Sequence, residues 1–93
     1  MKVLLDPVHA APVLRHIAPD VRKRLKHALR LLSKDPSGRL HRIDVKRLDV
    51  DAGPPMYRAR IGDWRIAFTV DDALVVLRVF HRDDGYGWLQ DMD

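Results

Sequence analysis

Two alternating runs, Met56 to Ile61 and Trp64 to Val70, meet at Gly62-Asp63. A two-residue loop of this kind closes a β-hairpin and fixes its register, because it pairs the residues that flank it. Ile61 then faces Trp64, and Arg60 faces Arg65. Side chains alternate along a strand, so Arg58, Arg60 and Arg65 share one face of the pair. Like charges directly across a strand pair are destabilising, by a few tenths of a kcal/mol up to ~1. A small domain has little stability to spare, so three arginines gathered there point to an anionic partner for that face.

The chain has 93 residues, the length of one small domain over 1–93. Hydrophobic residues make up 46%, enough for a single core and against disorder. Without cysteine there is neither a disulfide framework nor a thiolate metal site. His9, His16, His27 and His41 show no ligand spacing with carboxylates, so neither a metal nor a cofactor is expected. No stretch approaches the ~18 apolar residues of a membrane span. Asp6 and Pro7 interrupt the apolar start too early for a signal peptide, so the expectation is a cytoplasmic protein with no membrane partner. A formal charge of +4 favours nucleic acid or an acidic protein as partner.

Lys2 to Leu5 reads as a first strand. Asp6-Pro7 has the chemistry of a helix start, with Val8, Ala11, Leu14 and Ile17 as a buried stripe. Pro12 conflicts with that stripe, and either kinks the helix or moves its start beyond Asp6. Pro19 opens a second helix that buries Val21, Leu25, Ala28, Leu29 and Leu32 and ends at Asp35-Pro36-Ser37-Gly38. Its basic residues are by default a solvated face. Ile43 to Leu48 reads as a strand with Ile43, Val45 and Leu48 inward, and Asp49 to Pro55 as a loop. Ala73 to His81 is a long apolar strand, and Tyr86 to Leu89 a short tail in which Trp88 packs on the sheet. The expected fold is α+β, in the order β-α-α-β-β-β-β, with a helical hairpin on one face of a mainly antiparallel twisted sheet.

Trp64, Ile66 and Phe68 mark the core side, so the arginines point to the open face. In the last strand, alternation assigns Val75, Leu77 and Val79 to the core. Val76, Arg78, Phe80 and Arg82 go to the open face, and Tyr86 follows four residues later. Arginines with an aromatic on an open sheet suit single-stranded RNA, since guanidinium groups contact phosphate and rings stack on bases. The competing reading is a solvated face with ion pairs to Asp44, Asp49 or Asp51. His81 alternates to the core side, where packing is its default role.

The run Tyr57-Arg58-Ala59-Arg60-Ile61-Gly62-Asp63-Trp64-Arg65-Ile66 is followed by Leu74 to Arg82 and Tyr86. Together with Val45-Lys46-Arg47-Leu48 upstream, it resembles the RelE/ParE superfamily of toxin–antitoxin toxins over almost the whole chain. The resemblance implies a ribosome-dependent endoribonuclease that cuts messenger RNA in the A site and is restrained by a cognate antitoxin. Carried over by position, it assigns Arg58, Arg60, Arg65, Arg82 and Tyr86 to the catalytic cluster, with His81 beside it. Lys46, Arg47, Arg78 and Phe80 become candidate RNA contacts. The chemistry implied is metal-free attack of a 2′-hydroxyl on the adjacent phosphate. Tyr86 or His81 would be the base, and Arg82 or His81 the acid. Arg58 and Arg60 stand where some relatives have lysines, and arginine does not readily release a proton. The chain has no glutamate to serve as base. The alternative expectations are a ParE-type inhibitor of DNA gyrase without nuclease activity, or a non-catalytic member that binds only antitoxin or RNA.

Overall fold

Five strands form one sheet in the order β1-β5-β4-β3-β2. They are β1 (Lys2–Leu5), β2 (Asp44–Leu48), β3 (Met56–Ile61), β4 (Trp64–Val70) and β5 (Ala73–His81), with helices α1 (Ala11–His16) and α2 (Pro19–Lys34) between β1 and β2. The computed structural model describes residues 1–49, 53–85 and 87–88. The expected loop from Asp49 to Pro55 and tail from Tyr86 to Leu89 therefore lie partly outside the described residues. No helix is long and apolar enough to cross a membrane.

The β2-β3-β4-β5 series is antiparallel throughout, while β1 returns beside β5 in parallel. A parallel neighbour needs a long crossover, which the chain supplies here through the whole β2-to-β4 meander as well as the helices. The α+β order and the helical hairpin on one face are as the sequence indicates. Leu25, Leu29 and Leu32 of α2 and Leu14 of α1 pack on Ala59, Ile66, Phe68, Leu74, Val76 and Val79. Burying such a stripe at roughly 25 cal/mol per Å² of apolar surface is what holds a short sheet to two helices.

The first helix starts later than Asp6 suggests. Asp6 caps a turn instead, its Oδ1 accepting the Val8 and His9 N–H groups at 2.9 and 2.8 Å. Pro12 then sits in the first turn of α1, where a missing N–H costs nothing.

The strand β5 departs from simple alternation. Ala67 pairs with Arg78 but Phe68 pairs with Val76, so Leu77 is an extra residue at a bulge. The phase shifts by one there. Leu74 and Val76 on one side of the bulge and Val79 on the other all enter the main core. The expected core set of Val75, Leu77 and Val79 is corrected accordingly: Val76 is fully buried, and Leu77 packs on the opposite face. That face carries a second, smaller cluster of Met56, Ala67 and Phe80 with Leu48, Leu77 and Trp88 against it. Leu48 is thus not inward with Ile43 and Val45. It has the opposite parity along β2 and pairs with Met56.

Candidate functional site

The hairpin has the register that its turn dictates. Ile61 pairs with Trp64, Arg60 with Arg65 and Arg58 with Ala67. Gly62 adopts φ +60, the left-handed conformation that such a turn needs. Because β2 pairs Asp44 with Arg60 and Lys46 with Arg58, rows of side chains cross the open face of the sheet. Nearest the hairpin tip the row reads Asp44, Arg60, Arg65, Phe80. The next reads Lys46, Arg58, Ala67, Arg78. The two rows hold four arginines and a lysine against one carboxylate.

That carboxylate is shared. Asp44 Oδ2 lies 3.3 Å from Arg58 Nη1 and 3.6 Å from Arg60 Nη1. Arg58 is the buried member, its side chain 9% exposed, whereas the Arg60 side chain is 54% exposed. Arg65 bends along its own hairpin, Nη1 donating to the carbonyls of Gly62 and Trp64 at 2.8 and 2.9 Å. The Arg60–Arg65 repulsion is thus eased by local acceptors on each side. Arg82 begins a 3-10 turn over Arg82–Asp84. Its N–H donates to the Asp63 carbonyl at 2.8 Å, which ties the end of β5 to the hairpin tip. Its Nε stands 3.7 Å from Asp63 and 3.9 Å from Asp83.

Of the sequence candidates, Arg60, Arg65, Arg82 and Phe80 gather at the tip end of the open face. Arg58, Lys46 and Arg78 lie in the next row, farther from the tip. Arg78 Nη1 is 3.0 Å from His9 Nδ1, and its guanidinium lies 5.2 Å from the centroid of the Trp88 ring. Trp88 also meets Phe80 edge-on at 5.5 Å. Two candidates stand elsewhere. Arg47 pairs with Tyr57 on the helix side, where with Arg39 it lines a depression of about 470 Å³. His81 pairs with Trp64, its ring edge-on to the indole at 5.5 Å. Its Nδ1 accepts the Asp83 N–H at 3.2 Å and its own N–H donates to Asp84 at 3.3 Å, so it caps the turn that Arg82 begins. Tyr86 lies outside the described residues.

The sequence offered Asp44 as one of three ion-pair partners for the arginines, and the structure bears that one out with both Arg58 and Arg60; the sequence did not place Trp88 over Arg78. Register could not choose among the three aspartates, because the β2–β3 connection is long and fixes no pairing. The spacing of Arg78 and Phe80 on one face was the available signal for an aromatic lid.

The helical hairpin covers one face of the sheet and the basic residues stand on the other. The family model for the ParE toxin of type II toxin–antitoxin systems matches residues 9–86. This chain therefore belongs to that family and is a toxin of a type II toxin–antitoxin system. Its fold is similar to that of an archaeal RelE–RelB complex from Pyrococcus horikoshii, with 24% identity and a TM-score of 0.73 over 87% of this chain and 93% of that one. The RelB–RelE complex from Methanococcus jannaschii aligns at 26% identity and TM-score 0.67, over 91% and 96% of the two chains. The RelBE2 complex from Mycobacterium tuberculosis aligns at 28% and 0.65, over 87% and 96%. No curated protein matches the chain in sequence.

Proposed function

We propose that this toxin acts on RNA, cutting messenger RNA in the ribosomal A site, and that a cognate antitoxin of the RelB kind holds it inactive. The observation that carries this reading is the row of Arg60 and Arg65 beside Arg82, three guanidinium groups at one end of an open sheet face. Such a cluster matches the charge that builds on a phosphodiester under attack. A 2′-hydroxyl attacks the adjacent phosphorus and the P–O5′ bond breaks. The products are a 2′,3′-cyclic phosphate and a 5′-hydroxyl. The 2′-proton is removed and the leaving oxygen gains one. The His81 ring faces Trp64 and its Nδ1 is engaged by the Asp83 N–H. We give the base role to Tyr86, as the resemblance implies, while Arg82 neutralises charge on the leaving 5′-oxygen, which takes its proton from water.

Cell-free translation followed by primer extension tests this. The toxin should produce new 5′ ends within A-site codons, and Tyr86→Phe should slow their formation by about 10²-fold or more. Cleavage that persists unchanged in an Arg65→Ala, Arg82→Ala double variant would remove the arginine row from the chemistry.

One observation favours a second reading. Among the described residues, no group suited to neutral-pH proton transfer other than His9, held against Arg78, stands on the arginine face. A ParE-type inhibitor of DNA gyrase needs none. That reading predicts loss of gyrase supercoiling with no RNA ends.

A further inference from the structure

Round the corner from the arginine row, on the helix side of the hairpin tip, lies a depression of about 260 Å³. Aliphatic side chains of α2, β3 and Ile43 form its floor, and Arg24, His27, Arg42 and Arg60 form its rim. Three separate parts of the chain bring these four basic groups together: α2 supplies two, β3 one, and the exit of the Arg39–His41 turn the fourth. Among the described residues no carboxylate lines the depression. Arg24, His27 and Arg42 take part in none of the ion pairs of those residues.

Two backbone features lie at the cluster. Arg42 has φ 55 and is the only non-glycine residue with positive φ among those described. A Cβ is strained in that region, where glycine or asparagine would sit more easily. At the hairpin tip, a Cβ on Gly62 would stand 2.8 Å from Arg24 Nη2. Arg24 is thus laid against the turn. Arg60 belongs to both places, pairing with Arg65 across the hairpin and lining the depression.

We propose that this depression is a second phosphate subsite, seating the nucleotide next to the one held by the arginine row. The RNA strand passes round the hairpin tip with Arg60 between the two positions. The aliphatic floor takes a ribose or base face, and the rim takes the phosphate. The inference rests on the RNA-directed reading above, and its test separates the two.

The test is fluorescence anisotropy of the full chain with a 2′-O-methyl RNA strand of about eight nucleotides, which cannot be cleaved by 2′-hydroxyl attack. Removing two phosphate contacts in Arg24→Ala, Arg42→Gly should weaken binding about tenfold. It should also lower the slope of log affinity against log salt by about 1.4. A charge-matched control, Lys2→Ala, Lys23→Ala, should change affinity less than about twofold. Arg42→Gly should melt no lower than the parent chain, since glycine relieves the left-handed strain; the loss of binding is then not unfolding. If Arg65→Ala weakens binding while Arg24→Ala, Arg42→Gly binds as the parent does, the subsite is overturned and the RNA reading stands. If the parent does not bind RNA, both fall. A loss no larger than the control's overturns the subsite. So does intact RNA binding with lost antitoxin binding, which would make the depression a surface for the partner protein.

Discussion

Arg58 and Arg60 draw on one carboxylate, and the geometry makes their needs unequal. The Arg58 side chain is 9% exposed, so its charge depends on Asp44, whereas Arg60 has water. Removing one partner of a buried pair leaves the other uncompensated, although the half-exposed Asp44 end tempers the loss. Asp44→Ala should therefore cost roughly 1–2 kcal/mol in urea unfolding, with affinity for RNA unchanged or higher. Arg58→Met, which replaces the charge by an apolar chain of similar length, should stay within about 1 kcal/mol of the parent. A loss as large for Arg58→Met as for Asp44→Ala would contradict this account of the pair. At this scale the sequence shows which arginines share a face, because a two-residue turn leaves no freedom. It does not show depth. Alternation gives the side of the sheet on which Arg58 lies. Its burial comes instead from the partners that tertiary structure brings to that face.

The elements show the same division. Helix α2 is legible from its apolar stripe and its Pro19 start, and β3 and β4 from their shared turn. The bulge in β5 is not legible, because Leu74 to Leu77 reads as an unbroken apolar run and one extra residue leaves no mark in it. Its consequence is measurable. Val76 is fully buried and Leu77 half-buried on the other face. Val76→Ala should cost roughly 2 kcal/mol and Leu77→Ala less, whereas unbroken alternation would predict the reverse. The two loop aspartates give a pH signature. Hydrogen bonds from the His9 and Val8 N–H groups hold Asp6 below the usual carboxylate range. For Asp35 the Ser37 hydroxyl and the Leu40 N–H do the same. The folded chain therefore takes up these two protons less readily than the unfolded chain. Their contribution is complete above the ordinary carboxylate pKa of ~3.9 and is lost as pH falls through the lower folded values. Thermal melts on acidification should show this loss, and an Asp6→Asn, Asp35→Asn variant should show a shallower one.

For the whole molecule, the placement of charge matters more than its total. The chain carries +4, yet its arginines are spread over surfaces with different surroundings. Arg60, Arg65 and Arg82 stand at the tip end of the open sheet face. Arg39 and Arg47 line a depression on the helix side. The resemblance made Arg47 a candidate RNA contact together with Lys46, Arg78 and Phe80. Strand parity separates it from Lys46, and the pairing of Arg47 with Tyr57 settles the side. On the function proposed above, the open-face row is the working surface of the toxin. The most direct test of that reading is translation arrest by two variants that each lose two positive charges. Arg60→Ala, Arg65→Ala should lose arrest of cell-free translation by about 10²-fold or more, while Arg39→Ala, Arg47→Ala should arrest translation as the parent does. Full arrest by the first variant and loss by the second would contradict the account.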